Sequence, residues 1–313
     1  MTHPPSERVW LVGCRGMLAR AVGARLRELR IDVVSTDRDL DITDRDAVRA
    51  FAECERPTLI VNTAAYTRVD DAEADEAQAL RVNAQGAAHL AEVARDQSAW
   101  LLHFSTDYVF DGHARTPYRE DSPALPLSAY GRTKFRGERL VCETLRERSY
   151  VVRTSWLFGE NGHNFVKTVV ERMREREELR IVDDQLGRPT YTADLAVAAL
   201  SLLGIDRGGG GPPAPWGIYH FANAGATTWH GLGVASRDAC VDLGVTLKVA
   251  RIVPVTTDQF PRAAARPAYS VLDTSKIEAA LGRSARPWRA ALRDYLSREL
   301  AEDPALERRE PLP

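Results

Sequence analysis

Tyr130 and Lys134, in the stretch Tyr130-Gly131-Arg132-Thr133-Lys134, are the residues of this chain best suited to acid–base chemistry. Four residues apart on a helix, they lie on one face, one turn from each other. An ammonium beside a phenol stabilises the phenolate and draws the tyrosine pKa from about 10 toward neutrality. That would make Tyr130 a general acid for a carbonyl undergoing reduction. Thr106, near the end of an expected strand in STDYVFDG (105–112), offers a hydroxyl to the same oxygen. A Y-x-x-x-K spacing by itself arises readily on helix surfaces. Here it follows a glycine-rich turn and a hydroxyl-bearing strand end, in the order a hydride-transfer site requires.

The turn is Gly13-Cys14-Arg15-Gly16-Met17-Leu18-Ala19, between an expected strand and an expected helix. Gly13 permits the tight turn, Gly16 lets the backbone approach a pyrophosphate, and the small Ala19 lets helix pack on strand. The helix N-terminus then presents free N–H groups to phosphate. An acid follows at the expected spacing: Asp37 ends the second strand and suits a ribose diol. Arg38 beside it suits a 2′-phosphate or is a solvated surface charge, so NADPH and NADH both remain open. Asp41 and Ile42 are placed to border the adenine. Ala64 and Ala65 let backbone run alongside the cofactor, and Asn83, a poor helix former, sits inside a helix where a functional contact would explain it.

These residues need a scaffold that gathers strand ends. Apolar runs at 9–12, 31–35, 59–61, 100–104 and 150–153 read as strands, alternating with helices at 17–29, from a capping Thr43, at 75–95 and at 129–145. The pattern predicts an α/β fold, a doubly wound Rossmann-type parallel sheet covered on both faces, with a smaller C-terminal mixed α/β substrate domain. The division is expected near 156: residues 1–156 bind NAD(P), later segments partly return to that domain, and 157–313 mainly bind substrate. Further helices are expected at 165–175 and at 192–203, the second capped by Thr192. The stretch 208–215 (GGGGPPAP) reads as a surface loop and the last ten residues as a loose tail.

Composition narrows the class. With 313 residues, 44% hydrophobic and 27% charged, the chain is long enough for a large core. A net charge of -2 gives no electrostatic reason for nucleic acid or a membrane surface as partner. Four scattered cysteines without a C-x-x-C pair argue against a disulfide framework or thiolate zinc site and suit a reducing cytosol. No run approaches the ~18 apolar residues of a membrane helix, and the first residues predict no signal peptide. No histidine spacing suggests a metal.

Taken in order, GCRGMLA, NTAAYTRVDDAE, VNAQGA, STDYVFDG, SAYGRTKFRGE and RTSWLFG resemble the extended short-chain dehydrogenase/reductase family. NFVKTVV, VDDQLGRPTYTADLA and ARPAYSVLDTSK extend the resemblance over nearly the whole chain, toward its dTDP-4-dehydrorhamnose reductase subgroup. The resemblance implies NADPH- or NADH-dependent reduction of a dTDP-linked 4-keto-6-deoxy sugar. It implies Tyr130 as proton donor, Lys134 as its electrostatic partner and ribose ligand, and Thr106 as a hydrogen-bonding neighbour. Asp107 and Trp156 would border the sugar nucleotide. Gly16, Met17, Leu18, Asp41, Ile42, Ala64, Ala65, Tyr66 and Phe104 would line the cofactor. Some members carry a carboxylate in the first helix that joins a Mg²⁺ site between subunits; the corresponding residue here is Ala21, so no metal is expected, and a homodimer stays open.

Alternatives remain beside these roles. Trp156 suits core filling as well as sugar stacking. The run Asp70-Asp71, Glu73, Asp75-Glu76 reads as a solvated helix start rather than a metal cluster, and His103 as a satisfied core histidine. A reductase of another deoxysugar, or a regulatory subunit like that of methionine adenosyltransferase, are the competing functions.

Overall fold

The structure, a computed structural model, describes residues 8–206 and 213–301. The expected tail, most of the 208–215 loop and the N-terminal residues that bear on a signal peptide lie outside the described residues. Strands β1 (Val9–Val12), β2 (Val33–Thr36), β3 (Leu59–Asn62), β4 (Trp100–Thr106) and β5 (Ser149–Thr154) come first. β6 (Leu157–Phe158), β7 (Glu178–Val182), β8 (Leu186–Gly187) and β9 (Thr190–Tyr191) then leave the main sheet, and β10 (Gly217–His220) returns to it. β11 (Thr227–Thr228) pairs with β8, and β12 (Arg251–Val255) with β7. The main sheet is parallel, in the order β10-β5-β4-β3-β1-β2. The chain runs from β1 to β2 on one side and crosses to β3 on the other. The winding therefore reverses between β1 and β3, and a crevice opens at their carboxyl ends.

Both faces of the sheet are buried, and the period-2 alternation of the strands sorts their side chains. Val9, Leu11, Val61, Leu102 and Val152 face a core built with α1 (Met17–Glu28). Trp10, Val12, Ile60, Leu101 and Val151 face the opposite core, which includes side chains of α2 (Arg45–Glu55). Asp44, not Thr43, caps α2: its side chain accepts from the N–H groups of Asp46 and Ala47. The carboxylate wins because the helix starts one residue later than the threonine would require.

A short helix α3 (Val69–Ala74) that was not expected comes first, and the helix expected at 75–95 is divided into α4 (Glu76–Leu80), a π-helical turn (Arg81–Gly86) and α5 (Ala87–Asp96). The π turn brings the Asn83 carbonyl against α6 (Ala129–Thr144), where a Cβ on Gly137 would lie 2.1 Å from it. Gly137→Ala is therefore expected to destabilise the protein by about 1–3 kcal/mol through overpacking. Thermal unfolding measures it, and an unchanged midpoint would contradict so close an approach.

Beyond β5, α7 (Phe165–Glu175) matches its expected span, while α8 (Thr192–Leu202) starts after Tyr191 with no side-chain cap. Thr192 is the first helical residue rather than the cap. α8 packs on α1 beneath the main sheet, and Ile277 of α10 (Ser275–Leu281) joins that same core. The later chain therefore returns to the sheet layer, whereas α7, α9 (Trp229–Asp242) and α11 (Trp288–Ala301) build a separate core around Phe158, Tyr191 and Tyr295. Among the described residues no helix is long and apolar enough to cross a membrane.

Candidate active site

The expected cofactor residues gather at the carboxyl ends of β1, β2 and β3. Gly13 follows β1 with φ 78°, and a Cβ there would lie 2.8 Å from the backbone of Ala64. Only glycine permits the chains leaving β1 and β3 to come this close. Gly16 caps α1 without a side-chain acceptor, so the first-turn N–H groups keep their capacity for an anion. Asp37 accepts from the Arg15 N–H at 2.9 Å and thereby ties the end of β2 to the glycine-rich turn. Arg38 is exposed beside it. A cradle without side chains, a helix start without a cap and a carboxylate at the second strand end fit a dinucleotide.

The neighbouring residues divide between surface and scaffold. Met17 lies half-buried against Asn164, whereas the Leu18 side chain turns into the core, leaving only its backbone to the turn. Asp41 accepts from the Thr43 N–H at 2.8 Å, and Ile42 is buried against Gly86. Ala64 and Ala65 are partly open, the former held by a hydrogen bond from its N–H to Asn62 Oδ1. Asn83 departs from its expected cofactor contact. Its Oδ1 accepts from the Tyr66 N–H, and its Nδ2 donates to the Tyr66 carbonyl and to Thr133 Oγ1. Both amide hydrogens are used, so Asn83 fastens the loop after β3 to α6.

The chemistry-bearing residues lie at the end of β4 and the start of α6. Ser128 caps α6 by accepting from the Gly131 N–H, which sets Tyr130 in the first turn. Tyr130 packs edge-on to Tyr108, with ring centroids 5.5 Å apart, and stands beside the Thr106 hydroxyl. Thr106 donates to Asp107 Oδ1 at 3.0 Å and accepts from the Tyr108 N–H. Lys134 is buried, and its Nζ donates to the Phe104 carbonyl at 2.7 Å. Phe104 thus enters the site through its backbone.

The electrostatics differ from the sequence expectation. Burial pushes the Tyr130 phenol up to about 12; the Thr106 hydroxyl opposes this, and the charge of Asp107 adds to it. Lys134 does not draw the phenol toward neutrality here, because its ammonium is directed at the Phe104 carbonyl. Burial also lowers Lys134 itself to about 8. Asp107 is raised to about 6 by burial, against the hydroxyls of Ser270 and Thr106, and its Oδ2 has no hydrogen-bond partner.

Trp156 follows β5 with φ 48°, a left-handed conformation rare for so large a side chain. Its indole stacks on Trp229, with centroids 3.6 Å apart and planes 7° apart. Trp229 in turn donates from its indole N–H to Gln185 Oε1. One face of Trp156 is therefore occupied by protein, and it remains partly exposed.

A sequence model of the family described as the RmlD substrate binding domain matches residues 7–301. The chain belongs to that family. It is 45% identical over 293 residues to a dTDP-4-dehydrorhamnose reductase of Streptomyces griseus, covering 93% of this chain and 94% of that one. It is 44% identical over 286 residues to a dTDP-4-keto-6-deoxy-D-glucose reductase of Streptomyces niveus, covering 90% and 94%. Among solved structures, a dTDP-4-dehydrorhamnose reductase from Bacillus anthracis in complex with NADP is 34% identical. It superposes with a TM-score of 0.85 over 93% of this chain and 99% of that one.

In this RmlD-family chain, three supporting features escaped sequence reasoning. His103 accepts at Nδ1 from Asn62 Nδ2, so the neutral ring carries its hydrogen on Nε2, which has no partner. The histidine is buried but only half satisfied, and burial together with Lys134 holds its pKa well below the ordinary value. Asp70, partly exposed at the start of α3, takes a two-pronged ion pair from Arg266, at 2.5 and 2.8 Å, which lowers it to about 2. Ser270, far along the chain, faces Asp107. Asn164 and Arg188 are structural: Asn164 caps α7, and Arg188 donates to the Asn223 and Leu272 carbonyls. Nothing in the spacing of these residues along the chain announces such contacts.

Proposed function

We propose that this protein reduces the 4-keto group of dTDP-4-dehydrorhamnose to give dTDP-L-rhamnose, with NADPH as its preferred reductant and NADH as the alternative. The observation that carries the reading is that Thr106, Tyr130 and Lys134 lie at the end of β4 and the start of α6, on the same carboxyl edge of the parallel sheet as the Gly13 turn, in a chain related over most of its length to reductases of dTDP-linked keto sugars. The relative in complex with NADP supports the choice of cofactor.

Gly13, Gly16, Asp37 and the backbone around Ala64 would hold the dinucleotide, with Arg38 available to a 2′-phosphate. When bound, the nicotinamide supplies the hydride for the carbonyl carbon. Tyr130 gives its proton to the carbonyl oxygen. Thr106 shapes the hydrogen bonding around that phenol, and the Lys134 charge stabilises negative charge developing in the pocket. Asp107 and the open part of Trp156 border the sugar, and residues after Trp156 form the substrate-binding companion of the sheet. The free cysteines among the described residues accord with a reducing cytosol. A homodimer is part of the reading, and sedimentation would count the subunits.

A turnover screen tests the function. Purified protein is offered dTDP-4-dehydro-L-rhamnose and its epimers under NADPH and NADH, followed by loss of nicotinamide absorbance and identification of the product. Formation of dTDP-L-rhamnose is expected, with the free keto sugar a poor substrate because remote binding aligns the carbonyl. The Streptomyces niveus relative gives a second reading its basis: turnover of only another epimer would assign the chain to a different deoxysugar. No turnover with any substrate would favour a regulatory role.

A further inference from the structure

Thr106 has one proton to donate, and in this structure Asp107 takes it. The hydroxyl donates to Asp107 Oδ1 at 3.0 Å, while the Thr106 oxygen accepts from the Tyr108 N–H and stands beside the Tyr130 phenol. An ionised carboxylate only accepts hydrogen bonds, so this polarity is forced whenever Asp107 is charged. A protonated carboxyl can donate instead, which frees the Thr106 proton to turn toward Tyr130. Asp107 lies at the opening of the one-turn helix after β4 (Asp107–Val109), is 2% exposed, and leaves Oδ2 without a partner.

We propose that Asp107, acting through Thr106, is the proton-bearing end of a chain that sets the acidity of Tyr130 and refills it after each turnover. The inference rests on the reductase reading above. With Asp107 neutral, its O–H donates to Thr106, and the Thr106 O–H donates to Tyr130, stabilising the phenolate. As Tyr130 gives its proton to the substrate oxygen, the phenol O–H bond breaks and the alcohol O–H bond forms. The Thr106 proton then moves to the phenolate, and the Asp107 proton moves to Thr106. Asp107 is left ionised and recovers a proton from solvent when product leaves. With Asp107 charged from the start, the Thr106 proton is withheld and the negative charge opposes the phenolate.

The surroundings keep this carboxyl poised to titrate. Burial raises it to about 6, and the Ser270 hydroxyl from the C-terminal segment holds it down against that burial. Tyr108 and Tyr130 face it and are themselves raised, so neither supplies charge at neutral pH. The cation near this cluster, Arg266, is paired with Asp70 and interacts with Tyr108. Lys134 on α6 is directed at the Phe104 carbonyl, and His103 on β4 is buried and neutral.

The test joins a pH profile to a readout that needs no turnover. In wild type, kcat/KM is expected to fall about tenfold per pH unit above about 6, the range set for free Asp107. The kcat limb should lie at higher pH, since bound substrate excludes water from the carboxyl. Asp107→Asn donates permanently to Thr106 and should lose the limb. Ser270→Ala removes a group that favours the charged form and should move the limb to higher pH. Carboxyl ¹³C NMR of aspartate-labelled protein, assigned by the resonance lost in Asp107→Asn, should show Asp107 titrating near 6 in wild type and higher in Ser270→Ala. A limb that persists in Asp107→Asn, or an Asp107 resonance titrating in the ordinary carboxylate range, would overturn the proposal. If no keto sugar is turned over, the reductase reading fails, and the NMR titration still decides whether this carboxyl is poised. Should Asp107→Asn not fold, the shift of the kcat/KM limb in Ser270→Ala decides alone, and a limb that does not move overturns the proposal.

Discussion

Tyr130→Phe is expected to lower turnover by about 10²- to 10⁴-fold while leaving cofactor affinity near wild type. The substitution removes one oxygen and keeps the ring that packs edge-on against Tyr108. The groups expected to hold the cofactor lie elsewhere, at the Gly13 turn, at Asp37 and at the end of β3. The loss should therefore fall on kcat rather than on binding, since an acid used only as charge develops does not hold the ground state. Steady-state kinetics with a fluorescence titration of NADPH separates the two. Turnover near wild type would show that another group protonates the substrate.

Glu138→Leu is expected to destabilise the protein by about 3–5 kcal/mol, a large share of the roughly 5–15 kcal/mol that holds a typical protein folded. Glu138 and Arg153 are 1% and 2% exposed and joined by two prongs, Nε to Oε1 at 2.9 Å and Nη2 to Oε2 at 2.7 Å. Without the carboxylate, a guanidinium is left in the core with only partial compensation from the Glu120 carbonyl, the His220 ring and the Phe110 ring. The pair joins α6 to β5, and Glu138 lies one turn beyond Lys134, whose ammonium its charge supports. Turnover should fall with stability, because the helix that carries Tyr130 loses its anchor. The double variant Glu138→Leu/Arg153→Met should regain most of the lost stability, since replacing both charges removes the unpaired ion. Denaturant and thermal unfolding of the three proteins decide it. A single variant no less stable than the double would show that the pair carries no such penalty.

Much of the scaffold is legible along the chain because it rests on local rules. Apolar runs such as Val9–Val12, next to glycine-rich turns, make buried strands, and the span of α7 follows its own periodicity. Helix interruptions are less legible. The stretch 75–95 reads as one helix, yet the chain forms a π turn at Arg81–Gly86 where it packs against α6. Caps fail similarly: Thr43 and Asp44 are both good caps, and the chain geometry selects the second.

The site divides along the same line. The sequence by itself determined which residues can do chemistry and in which order they occur, since Gly13, Asp37, Thr106, Tyr130 and Lys134 each follow from residue type and local spacing. Only the tertiary structure decided how those groups are charged and held. Helical spacing brings Lys134 toward Tyr130, but burial and the Phe104 carbonyl, a partner from another element, determine where its ammonium is directed. Asn83 looks like a cofactor ligand until its amide is found satisfied by Tyr66 and Thr133. Burial lifts the Asp107 carboxyl to about 6, and the hydroxyls of Thr106, beside it, and Ser270, more than half the chain away, oppose that rise. Desolvation and long-range hydrogen bonds are properties of the packed chain, and no residue carries them alone.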